Sequence, residues 1–268
     1  MKNMEYPSDL SSRKQRIAQH FAQATRYDHH ANIQQLVCNL LLAKIAYSHH
    51  DSVLEIGAGT GQMTRLLAEN IDSQQWIINE LAGKQLPILQ SISPSAKIVI
   101  GDAETINLGN NYSLVISANA VQWFDNPLRF IDQSYQRLKS NGQLLFNTFT
   151  PNNFSQIKSL TGQGLHYPTL EDWRLALTTS GFEQIGLSTH RFDLTFSNPH
   201  DVLKHMKLTG VSTNQTATLL NDSPFMWTKS RLQQFGTDYW QQFSARDDNG
   251  NLCVNLTYEV LMINAFKP

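Results

Sequence analysis

The sequence predicts an α/β protein: a doubly wound, mostly parallel sheet, with helices before it and a helical insertion ahead of its last strand. Three observations carry this expectation. Short apolar runs alternate with helical patterns from residue 53 to residue 149. The first run, Val53-Leu54-Glu55-Ile56, passes directly into Gly57-Ala58-Gly59-Thr60-Gly61 and then into a helical pattern with Met63, Leu66 and Leu67 on one side. Such a strand, glycine turn and helix bring backbone close to a ligand at the carboxyl edge of a sheet. Finally, Pro151 breaks the alternation, and a polar, helical stretch from Asn198 to about Gly250 precedes one more strand-like run.

With 268 residues, 41% of them hydrophobic, the chain can hold one large α/β domain or a smaller one with an insertion. A net charge of -1 exerts no general pull on nucleic acid or an anionic membrane, so neither is expected as a partner. Cys38 and Cys253 form no paired motif and the nine histidines include no H-E-x-x-H, so no metal is expected. The sequence has no apolar signal core and no run of membrane-spanning length, which reads as a cytoplasmic protein.

Taken in order, Ile17, Phe21 and Ala24 share one helical face, with Arg13, Lys14 and Arg16 read as a solvated basic side. A second helix carries Leu36, Val37, Leu40, Leu41 and Ile45, so residues 1–50 form a helical cap. The core spans 51–196. Within it, strands are expected at 53–56, 76–80, 97–100, 112–117 and 143–149. Helices are expected at 62–70, at 83–91 with Pro87 disturbing or starting it, and from Asn126-Pro127 through Leu138. Residues 139–142 read as a turn and 152–167 as a long polar loop. A helix over 170–180 is closed by Gly181, and 182–196 is strand-like. Residues 197–250 form a helical lid insertion and 251–268 the last core strand.

The glycine spacing narrows the ligand. Gly57, Gly59 and Gly61 give G-x-G-x-G, whereas a dinucleotide turn has G-x-G-x-x-G, and Glu55 precedes the first glycine by two. Glu80 ends the second strand, where an acid can accept from a ribose hydroxyl pair; a plain surface carboxylate is the alternative. Asp102 and Ala103 follow the third strand. There a carboxylate and the next backbone N–H suit an adenine ring, although Asp102 can also cap the following turn.

The pattern Glu55-x-Gly57-x-Gly59-x-Gly61, with Glu80 and Asp102, resembles the class I S-adenosylmethionine (SAM) methyltransferases over 53–150. Four further segments resemble the malonyl-[acyl-carrier-protein] O-methyltransferases of biotin synthesis. They are Phe21-x-x-Ala24-x-x-Tyr27-x-x-His30-Ala31-x-x-Gln34, Ser117-Ala118-Asn119-Ala120-Val121-Gln122-Trp123, Met206-Lys207-Leu208-Thr209-Gly210-Val211 and Leu256-Thr257-Tyr258-Glu259-Val260. The resemblance implies a Rossmann-like sheet with an antiparallel last strand, and SAM as co-substrate. It implies Gly57, Gly59 and Gly61, with Glu55 in the same motif, on the methionine and ribose side, Glu80 on the ribose, Asp102 and Ala103 on adenine, and Asn119 near the methionine moiety.

It further implies a malonyl thioester on acyl carrier protein, or on CoA, as methyl acceptor. A carboxyl with an ordinary pKa of ~4 is already ionised at neutral pH, so no general base is required. Tyr27, His30, Gln122 and Lys207 are the candidates for orienting that carboxylate; Trp123 is a further one unless it is core, and Tyr27 could instead only pack on the co-substrate. Arg13, Lys14 and Arg16 in the cap, and Lys204, Lys207, Lys229 and Arg231 in the insertion, could meet an acidic carrier protein. A methyltransferase for another small acid or a quinone precursor, or a non-catalytic SAM-binding protein, would share the same core.

Overall fold

The computed structural model describes residues 10–23, 32–209 and 227–268. Along the chain it forms α1 (Ser12–Gln23), α2 (Asn32–Leu42), β1 (His49–Ile56), α3 (Gln62–Asn70), β2 (Asp72–Glu80), α4 (Leu86–Ile92), β3 (Lys97–Ile100), β4 (Tyr112–Ser117) and α5 (Arg129–Arg137). Then come β5 (Leu138–Phe149), α6 (Ser155–Thr161), α7 (Leu170–Thr179), β6 (Glu183–Phe196), α8 (Pro199–Leu208), α9 (Lys229–Phe243), β7 (Ser244–Arg246) and β8 (Leu252–Phe266).

The strands make one sheet in the order β3-β2-β1-β4-β5-β8-β6, with β7 paired to β8. β1 to β5 are mutually parallel; Val53 faces Trp76 on β2 and Leu114 on β4. Val53, Leu54, Glu55 and Ile56 are all buried, as expected of a central strand covered on both faces. β8 runs the other way. The Asn141 N–H donates to the Lys267 carbonyl while the Thr150 N–H donates to that of Glu259, a pairing in which one strand ascends as the other descends. This confirms the expected sheet with its antiparallel last strand.

By contact density the chain divides into two compact units. The first runs through Thr148 and adds Pro168–Ser188 and Leu261–Pro268; the second comprises Phe149–Tyr167 and Thr189–Val260. In the first, Leu54, Ile56, Val115 and Phe146 pack with Phe130 and Ile131 of α5 and with Trp173 and Leu177 of α7. Phe146 meets Phe130 and Trp173 edge-on, at centroid distances of 5.1 and 5.3 Å. α7 starts with a reciprocal capping box between Thr169 and Asp172, and Gly181 (φ +92°) takes the left-handed position just past its end. In the second unit Tyr258 is fully buried, with Phe154 4.6 Å away and its hydroxyl 2.8 Å from His205 Nε2.

The structure departs from the sequence reading at identifiable places. β2 begins at Asp72 rather than residue 76, because β1 already starts at His49 and its polar end pairs His49 with Asp72. The turn at 139–142 is a bulge inside β5. Asn141 has φ +60°, and the register with β4 jumps from Tyr112–Leu138 to Leu114–Gln143. The loop expected at 152–167 contains α6, anchored by buried Phe154 and Ile157. Pro87 sits in the first turn of α4, where its missing N–H costs nothing.

Glu55 ties the central strand to α3. It is fully buried, and its Oε1 accepts from the Thr64 hydroxyl at 2.9 Å while Oε2 has no partner among the described residues. Burial pushes its pKa up to about 8 against the opposing Thr64 bond, with Glu80 adding a like charge. The folded state therefore holds a proton that the unfolded chain releases near the ordinary 4.5. Stability from this group is present at low pH and is lost as pH rises from that value through about 8. Accordingly, Glu55→Gln is expected to gain stability relative to the parent as pH rises over this window, by a few kcal/mol in total. Urea titrations from pH 5 to 9 check it; parallel stability curves for the two proteins would contradict the buried proton.

Candidate active site

Because β1 to β4 are parallel, the segments leaving their carboxyl ends meet along one edge of the first unit. With α1 and α2 they line a cleft of about 940 Å³, part of it open solvent. Gly57, Gly59, Glu80, Asp102, Ala103 and Asn119, drawn from four separate segments, all line it.

The glycines have distinct tasks. Gly57 (φ +73°) passes so close to Ala120 that an added Cβ would lie 2.3 Å from the alanine Cβ. Gly61 (φ +83°) is similarly crowded by Ile92 and does not line the cleft. Gly59 (φ +56°) is different: a Cβ there would meet nothing of the described residues within 4 Å. Its bareness leaves room against the cleft for a ligand, and its N–H donates to Glu80 Oε2 at 2.7 Å.

Glu80 is 5% exposed, and its Oε1 accepts from the Ala82 N–H at 2.8 Å. Burial raises its pKa, opposed by the backbone N–H groups of Ala82, Gly59 and Leu81. A carboxylate can accept about four hydrogen bonds, so beyond these three N–H groups Glu80 keeps capacity for a hydroxyl donor. Neighbouring Asn79 fixes the edge: its carbonyl accepts from the N–H groups of Gly57 and Ala58, and its Nδ2 donates to the carbonyls of Val99 and Gly101.

Asp102 follows β3. Its Oδ1 accepts from the Glu104 N–H and from Lys14 Nζ, both at 3.1 Å, and Arg137 Nη2 holds the Ala103 carbonyl at 3.2 Å. Asn119 sits at φ +55°, a conformation asparagine tolerates. It is bracketed by Asn147, which accepts from its N–H at 2.8 Å and donates to its Oδ1 at 3.1 Å.

Other expected site residues fall elsewhere. Glu55 is buried without lining the cleft, and Gln122 does not line it either: Nε2 donates to the Asn119 carbonyl at 2.7 Å, while Oε1 is buried without a partner among the described residues. Lys207 is exposed on α8 in the second unit, whereas Trp123 lines the cleft. Tyr27 and His30 lie outside the described residues. The sequence reading missed Lys14, which it placed on a solvated face. The helical wheel held the signal, since Lys14 precedes buried Ile17 and Ala18 by three and four residues. Among the described residues, no group of three or more His, Cys, Asp or Glu could hold a metal, and no helix is long and apolar enough to cross a membrane.

Comparison with known proteins agrees with this geometry. The family model described as a methyltransferase domain matches residues 54–146, the segment that builds the cleft's sheet edge. The phosphoethanolamine N-methyltransferase 2 of Haemonchus contortus, solved in complex with S-adenosyl-L-methionine, superposes with a TM-score of 0.59 at 14% identity, covering 98% of this chain and 61% of that one. It establishes the methyltransferase fold. Among proteins named malonyl-[acyl-carrier protein] O-methyltransferase, that of Porphyromonas gingivalis is 38% identical over 224 residues, 82% of each chain. That of Haemophilus influenzae is 36% identical over 258 residues, 94% of each chain. With identity of this level over 94% of both chains, the chain belongs to the malonyl-[acyl-carrier protein] O-methyltransferase family.

Proposed function

We propose that this protein esterifies the free carboxylate of malonyl-acyl carrier protein with the methyl group of SAM. The reading rests above all on the near full-length relation to the Haemophilus influenzae protein, since a shared co-substrate core alone would leave the acceptor open. The cleft fits the co-substrate. Gly59 leaves room beside a carboxylate with spare lone pairs, and Asp102 adds a second acceptor from the next strand. Glu80 takes the ribose hydroxyls, Asp102 and Ala103 the adenine, and the glycine turn with Asn119 the methionine arm.

When bound, SAM supplies an electrophilic methyl on a sulfonium. The acceptor carboxylate is ionised at neutral pH, so the chain needs no base. Its residues must hold one carboxylate oxygen in line with the C–S bond at ~3 Å and keep water out. An oxygen lone pair forms the new C–O bond as the C–S pair returns to sulfur. Tyr27 and His30 of the cap formed by residues 1–50 orient the carboxylate, Gln122 supports the site through the Asn119 carbonyl that it holds, and 197–250 is a helical insertion of the second unit. The ester hides the malonyl charge, so the fatty-acid elongation enzymes can extend it toward the pimeloyl part of biotin. The cytoplasmic location read from the sequence belongs to the same proposal.

The direct test is methyl transfer from labelled SAM to malonyl-acyl carrier protein, malonyl-CoA, free malonate and other small acids. Ester is expected on the malonyl thioesters; turnover only with the other acids would remove the acceptor assignment and leave the fold untouched. Glu80→Ala and Asp102→Ala should each weaken SAM binding by ~1–3 kcal/mol, read by calorimetry, as loss of a charged hydrogen bond requires. Unchanged affinity in both would move the co-substrate out of this cleft. Tyr27→Phe should reduce turnover while sparing SAM affinity; full turnover would reduce Tyr27 to a packing residue.

A further inference from the structure

Lys14 carries a cation into the wall of the cleft from a helix 88 residues before the acid it meets. It is 3% exposed and shares a face of α1 with Ile17 and Ala18, 2% and 1% exposed. Its Nζ lies 3.1 Å from Asp102 Oδ1, 2.5 Å from Glu104 Oε2 and 5.0 Å from the centre of the Phe124 ring. Beside it on the same helix, Arg13 donates to the Trp123 carbonyl at 3.0 Å and pairs with Asp125.

Glu104 is itself immobilised. Its two oxygens accept from the N–H groups of Asp125 at 2.8 Å and Asn126 at 2.9 Å. Burial would raise its pKa, but Lys14 and these two N–H groups outweigh that and hold the carboxyl below its usual range, so it stays charged. A fixed anion thus fixes the ammonium, and the ammonium fixes Asp102. Oδ1 of Asp102 already accepts twice, from Lys14 and from the Glu104 N–H, whereas Oδ2 accepts nothing from the described residues.

We propose that Lys14 is a positioning and specificity residue for the co-substrate, occupying Oδ1 of Asp102 so that Oδ2 is committed to the exocyclic amine of the adenine base. The proposal rests on the reading that Asp102 meets adenine. An amino group donates to this oxygen, whereas a 6-oxo group would set a second acceptor against it, so the pair Lys14–Asp102 selects a 6-aminopurine over a 6-oxopurine. Removing the ammonium leaves Asp102 and Glu104 facing each other without their shared cation. Repulsion then works against the remaining Glu104 N–H bond to Oδ1, Asp102 loses its fixed direction, and the selection weakens.

The test is calorimetric binding of S-adenosylhomocysteine and S-inosylhomocysteine to the full chain, as parent, Lys14→Met and Lys14→Arg. The parent should prefer the adenine ligand by about tenfold to a hundredfold, the scale of one charged hydrogen bond. Lys14→Met should bring that ratio down several-fold, and Lys14→Arg should restore most of it. If Lys14→Met weakens both ligands equally and leaves the ratio intact, Lys14 is only a structural prop and the proposal is overturned. A parent protein without any preference would instead defeat the placement of adenine at Asp102. Should the methionine variant fail to fold, Lys14→Leu, which also removes the donor and the charge, carries the same comparison.

Discussion

The hydrogen bond from the Gly59 N–H to the Glu80 carboxylate is the contact on which the cleft depends. It joins the turn after the central strand to the end of the next one, and the chain around it has little latitude. Asn79 takes two N–H groups of the same turn and reaches on to the third strand, while Gly57 lies against Ala120 beyond the fourth. Four strand ends are thereby indexed to one another by backbone groups together with the buried side chains of Glu80 and Asn79. A buried carboxylate is costly in itself, and three N–H groups around it offset part of that cost.

Two glutamates near this edge illustrate how placement decides chemistry. Glu80 and Glu55 are both buried, but Glu80 meets backbone N–H groups with both oxygens whereas Glu55 has only the Thr64 hydroxyl among the described residues. The first remains an acceptor facing the cleft. The second behaves as a neutral spacer between strand and helix, which makes the acid of the glycine motif a structural member here.

Much of the fold was legible from local pattern. The third, fourth and last strands lie where apolar runs between turn residues placed them, because such runs encode burial within a few residues. The acids at 80 and 102 were legible for a related reason: the end of a parallel strand is also the edge of the sheet, so position in the alternation gives position in the site. What escaped the sequence depends on partners far along the chain. Lys14 looks like any helix-surface lysine until Asp102 and Glu104 are brought to it, and Asn141 looks like a turn until β4 and Lys267 pair on either side of it. α6 hides in a polar stretch because two buried side chains, Phe154 and Ile157, were too few to reveal a period.

The placement of β8 has a consequence for the order in which the molecule can assemble. This strand is the last in the sequence yet lies between β5 and β6 in the sheet, and its final residues belong to the first compact unit while its beginning belongs to the second. A chain emerging residue by residue from a ribosome can pair β1 to β5 early, but β5 keeps an open edge until β8 has cleared the exit tunnel. Neither unit is complete before then. The sheet is therefore closed only after β1 to β5 have paired, and the edge of β5 stays open to mispairing in the meantime.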